Sequence, residues 1–361
     1  MNHINELEAV MRTTYIEINR RKIGSKLPVY VVAELSANHR QKYNEAVKLI
    51  KAAKDAGADA VKLQTYTPNT ITICCDTPEF RVSGGTPWDG KTLYELYNEA
   101  YTPWEWQPKL KKIADDLGID LFSTPFDKTA VDFLEHMGVP AYKVASFELV
   151  DIPLIEYIAA KGKPIILSTG MATRAEIDES VQAARRAGAS QIALLKCTSV
   201  YPAPPEDVNL RTIPHMAKTF GVPVGLSDHT LGIAVPVAAV ALGACIIEKH
   251  FTLSRSIPGP DNAFSSEPRE FGAMVEAIRT AEKALGEVNY EVSEQEAKSR
   301  VFRRSLFVVK DVKAGEIFTA ENVRSIRPGY GLPPKHLKDV LGRHAEKDVS
   351  RGTPLSWDLV S

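Results

Sequence analysis

Residues 192–251 read IALLKCTSVYPAPPEDVNLRTIPHMAKTFGVPVGLSDHTLGIAVPVAAVALGACIIEKHF, and this stretch decides the fold. Three short runs, IALLKCT (192–198), PVGLSDH (223–229) and CIIEKHF (245–251), are nearly continuous in apolar residues. That is the pattern of parallel strands covered on both faces. The first two runs are each followed by a longer segment of helical character that stops at a glycine, Gly221 and then Gly243. Glycine suits the left-handed residue just past a helix C-terminus, so it marks the stop. The apolar stretch Leu231–Ile247 falls just short of the roughly 18 residues that suggest a membrane span. Pro236 and Gly243 interrupt it, and it reads as a buried helix, a glycine cap and a buried strand.

The same unit recurs upstream. Apolar runs at 28–35, 59–66, 120–126, 141–147 and 164–170 precede helical segments ending at Gly57, Gly118, Gly138, Gly162 and Gly188, and a last helix ends at Gly286. Eight such units over residues 28–286 match a (β/α)₈ TIM barrel, which takes about 250 residues. An open doubly wound sheet is the alternative, but it rarely needs eight regular units, and no Gly-x-Gly-x-x-Gly follows the first strand. Residues 67–101, with Trp88, Asp89, Tyr94 and Tyr97, are long for a connection and predict a lid or binding loop. Residues 252–267 form a second insertion, rich in Ser and Pro. Residues 1–27 form an extension in which Tyr15–Ile18 suggests a hairpin closing the barrel bottom. Residues 287–300 read as a polar linker of helical character. Residues 301–361, with short alternating runs and Gly/Pro turns, read as a small loop-rich domain.

Composition sets the outer bounds. At 361 residues, 44% hydrophobic and 25% charged, the chain is an ordinary soluble globular protein of about two domains. Lys+Arg 44 against Asp+Glu 45 leaves a net charge of −1, so no global field draws it to nucleic acid or membrane, and any anion must be held by a local cationic cluster. Four cysteines form no disulfide framework, and Cys74-Cys75 are too close to staple a fold. Met1–Glu6 lacks the basic start and apolar run of a signal peptide. A reduced, cytoplasmic setting is expected.

The chemistry sits where the strands end, because barrels of this kind carry their sites at the C-terminal rim. The strand ends carry Glu34 and Ser36; Lys62 and Gln64; Ser123 and Thr124; Lys143 and Ser146; Ser168 and Thr169; Lys196 and Thr198; Ser227, Asp228 and His229; Glu248, Lys249 and His250. Residues two apart share a face, so Lys62/Gln64, Ser227/His229 and Glu248/His250 each point one way. A single lysine is most often a surface charge. Lys62, Lys143 and Lys196 at equivalent positions of apolar strands instead suggest a phosphate or carboxylate ligand, since buried ammonium groups need an anion. His229 and His250 end consecutive strands and make either an open metal site or a pair of hydrogen-bonded histidines; spacing leaves both readings open. No His-Glu-x-x-His or Cys-x-x-Cys is present. Gly225-Leu226-Ser227-Asp228-His229 lacks the last glycine of a nucleophile elbow. Cys197 and Cys245 read as inert core thiols. Trp104 and Trp106 read as packing the start of a helix.

Taken together, Ala33-Glu34-Leu35-Ser36-Ala37-Asn38-His39, Ala58–Thr65, Ser168-Thr169-Gly170-Met171, Lys196-Cys197-Thr198-Ser199, Gly225–His229 and Ile247–Phe251 resemble the sialic acid synthase family over about residues 25–361. The C-terminal part resembles its antifreeze-like (SAF) domain, with Arg327-Pro328-Gly329 as the signature. Within the family, residues 33–39, 63–68, 85–90 and 102–106 are similar to the pseudaminic acid branch. The N-acetylneuraminate branch has an Ile-Gly pair after the first Glu, and His-Cys-Thr-Asn at 196–199. Arg40-Gln41 departs from the small residues frequent after the Asn-His.

The resemblance implies a transferase of alkyl groups other than methyl. It would condense phosphoenolpyruvate and water with 2,4-diacetamido-2,4,6-trideoxy-L-altrose, giving pseudaminic acid and phosphate. It implies Lys62, Lys143, Ser146, Ser168 and Ser227, with Thr124 and Ser199, around phosphoenolpyruvate. It also implies Glu34 and Gln64 on the sugar, Glu34 or Glu248 in proton transfer, and a divalent ion (Mn²⁺ or Mg²⁺, with Co²⁺ as a further candidate) on His229 and His250. Arg327 is implied to reach over the partner's barrel mouth in a homodimer. N-acetylneuraminate or legionaminate synthesis would use the same chemistry. A Schiff-base aldolase would also use strand-end lysines. A polysaccharide- or ice-binding protein is the reading from outside enzymology, and eight polar strand ends argue against it.

Overall fold

The computed structural model describes residues 15–85 and 88–361. The expectations for Met1–Glu6 and for Thr86-Pro87 of the 85–90 motif fall outside those residues.

Eight parallel strands close into a barrel in the order β10-β3-β4-β5-β6-β7-β8-β9. They are β3 (Tyr30–Glu34), β4 (Ala60–Thr65), β5 (Asp120–Pro125), β6 (Tyr142–Val144), β7 (Ile165–Ser168), β8 (Ile192–Cys197), β9 (Val224–Asp228) and β10 (Ile246–His250). Each lies inside one of the eight apolar runs, and helices cover the outside, so this is a TIM barrel. The helix-ending glycines do what the sequence predicts: all eight have positive φ, and Gly118, Gly138 and Gly221 are left-handed caps at φ 66, 70 and 63°. The 231–247 stretch is a helix, Ala234–Ala241, and then β10. Among the described residues no helix is long and apolar enough to cross a membrane.

The hairpin of β1 (Tyr15–Ile18) and β2 (Arg21–Gly24) closes the N-terminal end of the barrel. It is pinned there by polar residues at the strand starts. Asn19 donates to Asp120 (2.6 Å), Arg21 pairs with Asp59 (2.5 Å), and the Glu17 backbone N–H donates to Gln191 (2.5 Å). The core is mostly aliphatic, with aromatic residues such as Phe122, Tyr142 and Phe271, and runs continuously from the hairpin through the barrel to the helices.

The insertion after β4 contains short helices at Pro68–Ile71 and Leu93–Ala100. Trp104 and Trp106 pack as expected: Trp106 meets His39 and Tyr43 edge-on, and Trp104 stacks on Phe133 and donates to the Tyr66 carbonyl (3.0 Å).

The described residues divide into two compact units, with the boundary between Gly286 and Glu287. In the second, helix Glu294–Ser299 precedes an antiparallel pair, β11 (Ser305–Val308) and β12 (Val323–Ile326), around a core of Leu306, Val308, Phe318, Val323, Val340 and Leu355.

Candidate active site at the barrel mouth

Strand register builds the site. His250, Glu34 and Lys62 are direct partners across β10, β3 and β4, and one tier below, Glu248, Ser227 and Cys197 are partners across β10, β9 and β8. Partners on adjacent strands share a face, so these side chains all point inward. The polar tier therefore stands on an apolar barrel interior.

Two buried lysines lie at its centre. The Lys62 ammonium is 2.9 Å from Glu34 and 3.2 Å from Glu248, and it donates to the Thr124 hydroxyl at 3.4 Å. Lys143 donates to Ser168 (2.6 Å) and the Val144 carbonyl (2.9 Å), and stands 4.0 Å from Glu248. Ser227 donates to Glu248 at 3.1 Å. Burial draws the Lys62 ammonium down, but Glu248 and Glu34 outweigh it and raise its pKa. Lys143 has weaker partners, and burial pulls it to about 8. Burial also works against the Glu248 carboxylate, yet Lys143 and Lys62 hold it below the usual range. Two cations and two carboxylates thus neutralise one another in a water-poor pocket.

Ser146 and Ser199 converge beside this cluster on Gly170. The Gly170 N–H donates to Ser146 at 3.1 Å, and a Cβ on Gly170 would fall 2.1 Å from the Ser199 oxygen and 2.7 Å from that of Ser146. Only glycine leaves both hydroxyls in place.

The histidines stand at the rim with ring centroids 5.3 Å apart. His229 Nδ1 donates to the Thr198 carbonyl (2.8 Å), which places the hydrogen of the neutral ring on Nδ1 and leaves Nε2 bare. Burial works against the charged ring, but Cys197 and the Thr198 carbonyl raise its pKa. His250 lies 3.3 Å from Ser36, and burial, helped by His229 and nearby lysines, holds it well below the usual imidazole range. Tyr201 stacks on His229 (4.2 Å), and Phe264 meets His250 edge-on. Among the described residues no cluster of three His, Cys, Asp or Glu side chains forms a closed metal cage. The donor set here is two imidazoles with room for substrate oxygen and water, which fits an open Lewis-acid site and not a structural one.

The structure corrects two expectations. Lys196 does not join Lys62 and Lys143: it pairs in register with Leu226 and turns outward, its ammonium on the Cys197 carbonyl (2.8 Å) and the Thr198 hydroxyl. Its neighbour Cys197 is no core thiol: it faces inward into the polar tier, in register with Ser227. Burial would raise it, but His229 at 4.0 Å, with Ser146 and Ser199, lowers it to about 6. Cys245 is buried in the core on the Val224 carbonyl (3.3 Å), and burial pushes its thiol up to about 12.

Three residues from the loops enter the site without a sequence signal. Glu148, after β6, keeps one buried carboxyl oxygen with no hydrogen-bond partner, and burial raises it to about 7. Asp261, in the second insertion, accepts from the Ala37 N–H (3.2 Å), faces Ser36 and Glu34, and is raised by burial to about 6. Tyr201 follows β8. The two insertions meet above the histidines, where Trp88 donates to the Pro260 carbonyl (2.9 Å) and packs on Tyr201. Gln64 donates to Glu34 (3.1 Å) and Ser36 (3.2 Å). Arg327 follows β12 in the second unit, where its side chain is exposed.

Comparison with known proteins agrees with this architecture. The model of the NeuB family matches residues 49–290, and that of the SAF domain matches residues 303–361. The chain is 48% identical over 327 residues to a pseudaminic acid synthase of Campylobacter jejuni subsp. jejuni, covering 91% of this chain and 95% of that protein. It is 36% identical over 343 residues to an N,N'-diacetyllegionaminic acid synthase of Legionella pneumophila subsp. pneumophila, covering 93% of this chain and 96% of that one. The crystal structure of an N-acetylneuraminic acid synthetase from Leptospira borgpetersenii in complex with citrate superposes with a TM-score of 0.70 at 33% identity, over 80% of this chain and 95% of that chain. With its barrel, its strand-end polar tier and its C-terminal SAF domain, the chain belongs to the NeuB family of sialic acid and pseudaminic acid synthases.

Proposed function

We propose that this protein is a pseudaminic acid synthase, condensing phosphoenolpyruvate and water with 2,4-diacetamido-2,4,6-trideoxy-L-altrose to give pseudaminic acid and inorganic phosphate. The observation that carries the reading is the pair of buried lysines beside four inward serines, set below two histidines with open positions. The 48% identity to a pseudaminic acid synthase favours this product over the legionaminate at 36%.

Lys62, Lys143, Ser168 and Ser227, with Thr124, Ser146 and Ser199, bind the phosphate and carboxylate of phosphoenolpyruvate. They hold its C3 against the sugar aldehyde, which converts an encounter into a positioned reaction. A divalent cation on His229 and His250 (Mn²⁺ or Mg²⁺, with Co²⁺ as a further candidate) supplies polarisation of the aldehyde oxygen when bound. The C3–C1 bond forms and leaves cationic character at C2. Water adds there, the C2–O bond to phosphate breaks, and a ketone remains. One water proton ends on the new hydroxyl and the other leaves with phosphate. Glu34 and Gln64 hold sugar hydroxyls. Glu34 or Glu248 is the candidate for proton transfer by position, each paired with Lys62, although Lys143 and Lys62 make Glu248 a weak base by holding it below the usual range. Glu148, near 7, is the better match for a group that must both give and take one. The same reading implies a cytoplasmic homodimer in which Arg327 serves the partner's site.

Phosphate release from phosphoenolpyruvate with Mn²⁺ tests the proposal, offering the altrose sugar, its legionaminate-precursor isomer and N-acetylmannosamine in parallel. Release with the altrose sugar alone supports it. Release only with another sugar keeps the chemistry and overturns the product. No release with any sugar, or a borohydride-trapped lysine adduct, overturns the condensation itself.

A further inference from the structure

Ser36 is buried and sits at φ 42°, in the left-handed region that favours glycine. A serine held there costs conformational energy that a glycine would not, so its hydroxyl must return something. We propose that Ser36 is a positioning residue that fixes the tautomer of His250, so that Nδ1 carries the hydrogen and Nε2 is presented bare to the barrel mouth. The functional consequence rests on the reading that His229 and His250 hold a divalent cation.

The argument is a count of protons and lone pairs. The Ser36 hydroxyl has one hydrogen and two lone pairs. It donates to Glu34 Oε1 at 2.6 Å. That oxygen is an acceptor only, since it also receives the Gln64 amide at 3.1 Å, while the other oxygen of the carboxylate pairs with Lys62. Asp261, which also faces the hydroxyl, is in its ionised form again an acceptor only. Whichever carboxylate takes the hydrogen, none is left for His250. The Ser36 oxygen meets Gln64 Nε2 at 3.2 Å and His250 Nδ1 at 3.3 Å, one for each lone pair. Nδ1 of His250 must therefore be the donor. His229 reaches the same state by another route, donating from Nδ1 to the Thr198 carbonyl. With His229 neutral, both rings then offer Nε2, one steered by backbone and the other by Ser36.

The test is Ser36→Gly, which removes the hydroxyl and relieves the backbone cost. Nitrogen-15 NMR of metal-free, histidine-labelled protein at pH 8, with His250 assigned through His250→Asn, reads the tautomer directly. The parent is expected to show one tautomer, with Nδ1 protonated. Ser36→Gly is expected to show a mixture, with unfolding stability at or above the parent and Mn²⁺ affinity by electron paramagnetic resonance weaker by roughly tenfold or more, the usual effect of losing such an orienting partner. Ser36→Ala should lose affinity likewise without the gain in stability. An unchanged His250 tautomer in Ser36→Gly overturns the proposal. A parent that binds no Mn²⁺ overturns the metal reading instead, and the tautomer of the variant then decides the role of Ser36 alone.

Discussion

Replacing Lys62 with methionine should damage folding and anion binding together, by amounts the geometry sets. The ammonium stands 2.9 Å from Glu34 and 3.2 Å from Glu248, both carboxylates almost wholly buried. At an effective dielectric of about 20 these contacts are worth about 6 and about 5 kcal/mol of raw Coulomb attraction, against about 4 for Lys143 at 4.0 Å from Glu248. Desolvation of the ammonium offsets most of this. What persists is the penalty for two carboxylates left facing one cation, and breaking a buried pair costs about 3–5 kcal/mol. Methionine fills nearly the same volume, so a cavity adds little. Urea unfolding at pH 7.5 should show that loss, and titration calorimetry should show phosphoenolpyruvate binding abolished, because the four central groups go from net zero to −1. Adding Glu248→Gln to Lys62→Met removes one orphaned charge and should recover at least about 1 kcal/mol of stability without restoring binding. Lys143→Met should cost less stability, its partner being farther away. A Lys62→Met protein within about 0.5 kcal/mol of the parent would refute the reasoning, since the carboxylates would then have found another counter-charge or a proton.

Other outcomes follow from the same residues. Burial pulls Lys143 down to about 8, and it binds an anion only when charged, so phosphoenolpyruvate affinity should weaken roughly tenfold per pH unit above 8. Lys143→Arg should flatten that limb; a constant Kd from pH 7 to 9.5 in the parent would show that Lys143 does not face the anion. Gly170→Ala places a methyl group on the Ser199 and Ser146 oxygens and should raise KM for phosphoenolpyruvate by about 10–100-fold, as for a lost hydrogen bond to a charged group. An unchanged KM would move the anion site elsewhere. His39 is buried against Thr102 and Trp106, and burial lowers it to about 4 from 6.5. The unfolded chain binds the extra proton between those values, so stability is full above pH 6.5 and falls as pH drops towards 4, by about 3 kcal/mol in all. Glu148 and Asp261, raised by burial, gain protons in the folded state over the same range and pull the other way. The His39 contribution is therefore read as the difference in urea midpoint between the parent and His39→Gln; a difference that holds constant from pH 7 to 4.5 would contradict this.

Much of this molecule is legible in the chain. The barrel can be read because parallel strands covered on both faces are continuous apolar runs, and because a helix end needs a left-handed residue that glycine adopts without strain; Gly118, Gly138 and Gly221 do so. The inward pairs Lys62/Gln64, Ser227/His229 and Glu248/His250 follow from the two-residue period of a strand. Tertiary structure decided the rest. Whether Lys196 or Cys197 faces inward depends on the register of β8 against β9, and a shift of one residue exchanges them. Glu148, Tyr201 and Asp261 come from loops, which carry no period, and only barrel closure brings them to one mouth. The raised values of Glu148 and Asp261 come from burial. Ser36 is part of a motif in the sequence, but its hydroxyl acquires a task only when a strand end more than 200 residues away brings His250 within reach. Local pattern determines which elements form and which way a strand alternates, because those are properties of a few neighbouring residues. Charge, tautomer and contact belong to groups distant in the chain, and only the closed barrel sets the distances between them.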